Sequence, residues 1–248
     1  MNEKIRFLDK TFFLDLKNKE KTIENWLGIK EIKNTSRNVN ENVADYIIRH
    51  TRNIPRDIVI IGNAISNRIQ EIKLTTYDFD NFHDQIKKIV HHYAKRFARE
   101  QVIISSNHLT SNLMPADAIQ LGVDKMYTAK YTGDQEFLNV RNTFINKIEE
   151  VIKFMGKDRF DFLDLMIGKA FAVEIFGVNS ELNLFDILWQ NSLIGYDVND
   201  GFTKFYSERS IDFQLPIDKN HTYAFHSILI DYLNLKAVGK PVKIKTFN

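Results

Sequence analysis

Arg49-His50-Thr51-Arg52-Asn53-Ile54-Pro55-Arg56-Asp57-Ile58 sets the architecture of the first half of the chain. Just before it, residues 41–50 bring Val43, Ala44, Ile47 and Ile48 onto one helical face. Just after it, Ile58, Ile61, Ile65 and Ile69 recur at helical spacing. Pro55 suits the first turn of that second helix, where its missing N–H would be unpaired anyway. The stretch therefore reads as a corner between two helices, crowded with Arg49, His50, Arg52 and Arg56.

Outward from the corner the pattern stays helical. Residues 79–105 carry a stripe of Phe82, Ile86, Ile89, Val90, Tyr93, Phe97 and Val102. A short helix is expected from residue 112 to about Gly122, and a longer one over residues 132–155, with Phe137, Val140, Phe144, Ile148 and Ile152 as its stripe. Towards the N-terminus, residues 4–27 suggest two short elements around a charged turn. Residues 34–40 read as a loop by composition. From Arg159 the texture changes. Helices are expected over residues 160–176 and 183–194, with Gly195 as the stop. Three extended pieces follow, residues 202–207, 211–215 and 222–225. In the middle one Ile211, Phe213 and Leu215 alternate with Asp212 and Gln214, the period of a half-buried strand. Residues 226–235 close as a helix, and a basic tail follows. Helix, helix, hairpin, then strand and helix is the order of a winged helix. The expected fold is mainly α: a helical domain over residues 1–155, a winged helix with a small β-hairpin or sheet over 156–237, and a tail over 238–248.

Composition narrows the classes. The 248 residues are 44% hydrophobic, enough for a packed core and against disorder. Ten glycines and four prolines are too few for an all-β sandwich. Net charge is +2, so any nucleic-acid binding must come from a local patch. With no cysteine, disulfides, thiol nucleophiles and thiolate metal sites are excluded. The charged N-terminus lacks the apolar core of a signal peptide, and no apolar run reaches the ~20 residues of a membrane span. The expectation is a cytoplasmic protein with no membrane partner.

Two segments resemble one family. Residues 44–60, with His50-Thr51-Arg52 and Pro55-Arg56-Asp57, look like the lid of bacterial P-loop ATPases of the AAA+ and STAND type, in particular a group often annotated FunZ. Leu188-Trp189-Gln190-Asn191-Ser192-Leu193-Ile194-Gly195-Tyr196, and residues 223–229, look like the C-terminal winged helix of that group. The resemblance covers roughly residues 20–75 and 156–237. It implies a nucleotide lid and a winged helix, in proteins linked to DNA transactions or phage defence. It implies that Arg52 and Arg56 sense nucleotide phosphate in an assembled ATPase. No G-x-x-x-x-G-K-[ST] occurs in the chain, so ATP and Mg would be held by a P-loop core in the same gene or an adjacent one. No cofactor is expected on this chain by itself.

Other chemistry finds little footing. A guanidinium can grip two phosphate oxygens, but Arg52 and Arg56 could equally form a basic turn paired with Asp57 or Glu71. His83-Asp84 matches the metal dyad of HD phosphohydrolases, without the further histidines and aspartate that fold needs. His91 and His92, adjacent on a helix, cannot share a face. No Ser-His-Asp elbow, H-E-x-x-H or dinucleotide fingerprint is present, so no catalytic or metal residue is assigned. Residues 183–194, the best candidate for a reading helix, offer Asp186, Gln190, Asn191 and Ser192 and no basic residue, which argues against base readout. Phosphate contacts would fall to Lys204, Arg209, Lys240, Lys243 and Lys245. The leading expectation is a non-catalytic regulatory module of a P-loop ATPase, coupling nucleotide state to a DNA or protein partner. The alternative is a free-standing winged-helix DNA-binding regulator.

Overall fold

A computed structural model describes residues 22–34, 37–52, 54–74, 79–113, 135–176, 184–197, 202–206 and 212–238. The fold is mainly helical, with small antiparallel sheets. The elements are α1 (Ile23–Leu27), β1 (Glu31–Asn34), β2 (Val39–Asn42), α2 (Val43–Arg49), α3 (Pro55–Leu74), α4 (Phe79–Leu113), α5 (Gln135–Met155), β3 (Arg159–Phe160), α6 (Phe162–Phe176), α7 (Leu184–Gln190), β4 (Ile194–Asp197), β5 (Thr203–Phe205), β6 (Tyr223–Phe225) and α8 (Ser227–Leu233). Two compact units emerge, Met1–Ala94 and Lys95–Asn248, and the division falls inside α4. The boundary expected at 155/156 lies at the end of α5, within the second unit. Among the described residues no helix is long and apolar enough to cross a membrane.

In the first unit, Thr22 caps α1 by accepting from the Asn25 N–H, and Gly28, at φ 71°, ends it. Residues 34–40 were expected as a loop. Residues 37–38 are a turn, with Asn38 at φ 50°, but Asn34 and residues 39–40 belong to a β-hairpin in which Glu31 pairs with Asn42 and Asn34 with Val39; residues 35–36 lie outside the described residues. Asparagine tolerates the left-handed region, so a polar run can be a turn with strands attached. Asn42 then caps α2, its Oδ1 accepting from the Ala44 and Asp45 N–H groups. Ile32, Val43, Tyr46, Ile47, Ile61 and Ile65 are buried here, with Phe82, Ile86 and Val90 from the first part of α4.

In the second unit α6 and α7 are followed by the β4–β5 pair, β6 and α8, and β5 pairs with β4 rather than with a strand over residues 212–215, where the expected hairpin placed its partner. The sheet runs β3-β6-β4-β5, every neighbour antiparallel. Two expected elements are corrected. The helix placed over 183–194 stops at Gln190, because Ser192 turns left-handed at φ 56° and Ile194 opens β4. Gly195 is thus a strand residue. A Cβ there would strike the Lys204 carbonyl across the β4–β5 pair, which explains the glycine. Nor do residues 212–215 form a strand. Their backbone pairs with α7 side chains, as described below. Gly168 lets α6 lie close to its neighbours: a Cβ would meet Met155 Sδ, and Phe185 Cζ at 2.9 Å. Residues 112–122, apart from the end of α4, lie outside the described residues, as does the tail beyond Val238. The start of that tail is pinned: Asp158, fully buried, accepts from the Val238 N–H at 2.6 Å.

Candidate functional site

The helix corner is built from charge. The Glu41 carboxylate at the end of β2 accepts from Arg49 Nη2 at 2.7 Å and Arg49 Nε at 3.0 Å, and from the Asn34 amide at 2.7 Å. This fork-on-fork pair draws the hairpin onto the end of α2. The Arg49 guanidinium also lies 4.9 Å from the Tyr46 ring centroid. His50 is buried as the C-cap residue of α2. Its Nδ1 donates to the Tyr46 carbonyl at 2.6 Å, so Nε2 accepts from Arg49 Nη1 at 3.2 Å. Those two partners fix the tautomer. The Tyr46 hydroxyl meets His91 Nε2 at 2.5 Å.

Arg52 and Arg56 part company. Asp57 is fully buried, and Arg52 grips its carboxylate with Nε at 2.8 Å, Nη2 at 2.7 Å and its own backbone N–H at 3.0 Å. Arg52 is therefore the strut of the corner, with its guanidinium fork already filled by a carboxylate. Arg56, in the first turn of α3, is exposed and forms no ion pair among the described residues. Its neighbour Asp57 faces inward, so Pro55 and Arg56 head the helix at the surface. Asp84 pairs instead with Lys87 at 3.3 Å on the outside of α4.

In the second unit, the polar side chains of α7 and of the turn after it are taken up by hydrogen bonds within the unit. Asp186 accepts from the Leu215 N–H at 2.9 Å. Gln190 donates to the Phe213 carbonyl at 2.9 Å, and Trp189 Nε1 to the Asp212 carbonyl at 3.2 Å. Asn191 donates to Ser105 Oγ, and Ser192 to the Tyr206 carbonyl. Every polar residue considered for base readout is thereby engaged within the unit. Leu184, Phe185, Ile187, Leu188 and Trp189 are buried as well. This helix is core, not a reading surface. Lys204 is exposed on β5, its ammonium 5.8 Å from the Tyr196 ring centroid. Arg209, Lys240, Lys243 and Lys245 lie outside the described residues.

Sequence reasoning missed the network of Glu41, Arg49 and His50. Its members come from a hairpin and a helix end, eight residues apart, where no periodicity pairs them. No family model matches this chain, and neither the curated proteins nor the solved structures contain a match to it.

Proposed function

We propose that this chain is a non-catalytic module of a P-loop ATPase, sensing nucleotide through Arg56 and holding a protein partner through its second unit. One observation carries the reading: of the two arginines in the Arg52–Arg56 corner, one is locked to buried Asp57 and the other stands exposed at the head of a 20-residue helix. A corner presenting an exposed guanidinium, without an ion pair among the described residues, suits a phosphate that arrives from outside, and the helix dipole adds to the attraction. Arg52 then serves as the positioning residue rather than a second phosphate contact. The engagement of the polar groups of α7 in hydrogen bonds within the unit favours a protein partner over DNA bases. The test is ATP turnover by the P-loop protein that co-purifies with this chain. Arg56→Ala should lower turnover, since stabilisation of the transferring phosphate is lost, and Arg56→Lys should restore it in part, since an ammonium lacks the planar fork. Unaltered turnover in Arg56→Ala would sink the nucleotide-sensing reading.

A further inference from the structure

We infer that the outward face of α6 docks an amphipathic helix of a partner protein whose apolar stripe is flanked by Lys or Arg. This rests on the partner-binding half of the function proposed above and is independent of Arg56. α6 carries apolar residues on every side, Phe-Leu-Asp-Leu-Met-Ile-Gly-Lys-Ala-Phe-Ala-Val-Glu-Ile-Phe, with Asp164, Lys169 and Glu174 as its charged residues, a composition closer to that of a covered helix than of a surface one. Leu165, Gly168 and Ala172 form the inner stripe and are buried. Opposite them, at i, i+4, i+7 and i+10, stand Leu163, Ile167, Ala170 and Val173, all exposed. Leu163 is 66% exposed and Ile167 48%. That spacing is the one an apolar helix face presents to another helix, and Ala170 leaves a dip for a larger side chain.

The face extends sideways onto α5. Phe154 stacks on Phe171, ring centroids 4.0 Å apart, while remaining half exposed. Beside them lies an open depression of about 540 Å³, lined by Asn146, Glu149, Glu150, Lys153, Phe154 and Phe171.

Charge selects the occupant. Two lysines are paired, Lys153 with Glu149 and Lys157 with Asp164 at 2.7 Å; Lys147 lies over the Phe176 ring, and half-buried Lys169 lies within electrostatic range of Asp186. The rim carboxylates are in excess. Glu150 on α5 and Glu174, which follows Ala170 by one turn at the end of the outward row, are exposed without an ion pair among the described residues, and the exposed Asp161 carboxylate accepts from the Asp164 N–H in capping α6. A second copy of this chain is a poor fit. Antiparallel pairing of two α6 helices sets Asp161 and Asp164 beside the other copy's Glu174, and parallel pairing sets each carboxylate beside its own counterpart. Both arrangements oppose like charges. A helix with basic flanks meets complementary charge instead.

Two synthetic helical peptides of about 20 residues test this. Both carry the same Leu/Ile stripe; one is flanked by lysines, its twin by glutamates. Binding to the full chain is read by fluorescence anisotropy. The lysine-flanked peptide should bind on the order of tenfold more tightly than its twin. Leu163→Ser with Ile167→Ser should weaken it by at least about tenfold, and Glu150→Lys with Glu174→Lys should erase the preference. Circular dichroism on each variant keeps loss of fold apart from loss of docking. Arg56→Ala should bind the peptide as wild type does, so a failed docking face and a failed nucleotide sensor read out separately. Equal binding of the two peptides, absence of binding, or indifference to the Leu163/Ile167 change would overturn the inference. So would a dimer in sedimentation that the same double change dissolves, which would give the face to a second copy.

Discussion

The helix corner of the first unit keeps charge inside, whereas α6 of the second keeps hydrocarbon outside. Around Glu41, Arg49, Arg52 and Asp57, ionised groups are buried and matched fork to fork. On α6, Leu163 and Ile167 face solvent although the helix is as apolar as a core element. Buried ion pairs are weak sources of net stability, but they tolerate few alternative geometries. Exposed apolar rows cost little in the free chain and become favourable on contact. The contrast separates a region that fixes a shape from a region that awaits a surface.

The largest expected effect breaks the first region. Arg52→Ala strands the fully buried Asp57 carboxylate and should cost about 3–5 kcal/mol in denaturant unfolding. Arg56→Ala, four residues on, should stay within about 0.5 kcal/mol, as surface changes do. Equal costs would mean that the two arginines share one role. Trp189→Ala in the second unit should cost about 3–5 kcal/mol, because Trp189 is 1% exposed and packs near Tyr196 and Tyr206. An unchanged melting midpoint would remove α7 from the core.

The next pair sharpens the comparison within a single helix. Leu165→Ala should cost about 2–5 kcal/mol, and Leu163→Ala about 0.5 kcal/mol or less. Similar values for the two would mean that something already covers the outer face in the free chain. The smallest effect is a pH dependence. Tyr232 is pushed up to about 12 by burial and then by its hydrogen bond to the Glu149 carboxylate. The folded state therefore holds the phenolic proton more tightly than the unfolded state. Stability should fall as pH rises from about 10 to 12 and be unaffected by this group below that window. Near-ultraviolet absorbance should show a tyrosine titration step near pH 12, later than that of an exposed tyrosine, and Tyr232→Phe should remove one tyrosine's share of the late titration.

The long helices were legible because apolar side chains recur at 3.6-residue spacing over many turns, as in α3, α4 and α5. The hairpin β1–β2 was hidden because its turn is polar and its strands are four residues long. Residues 183–194 read as one helix through Ser192, since nothing in side-chain polarity announces a left-handed residue. Ile211, Phe213 and Leu215 alternate as a strand would, yet the carbonyls of residues 212 and 213 accept from Trp189 and Gln190, so tertiary hydrogen bonds replace a ladder. Of the candidate site, the Arg52–Asp57 pairing was visible as one of two options. Which arginine would be locked depended on Asp57 facing inward, a fact of packing rather than of spacing.

The four-stranded sheet has a further consequence, for crowded solutions. Its two outer strands are β3, of two residues, and β5, of three. A neighbouring molecule seeking to extend the sheet finds almost no ladder of unpaired N–H and C=O groups to join. On β5 it would also have to strip water from the Lys204 ammonium. The lysine first considered as a phosphate contact thus stands on an outer strand, and the two outer strands of this sheet offer a neighbouring copy few groups to pair with.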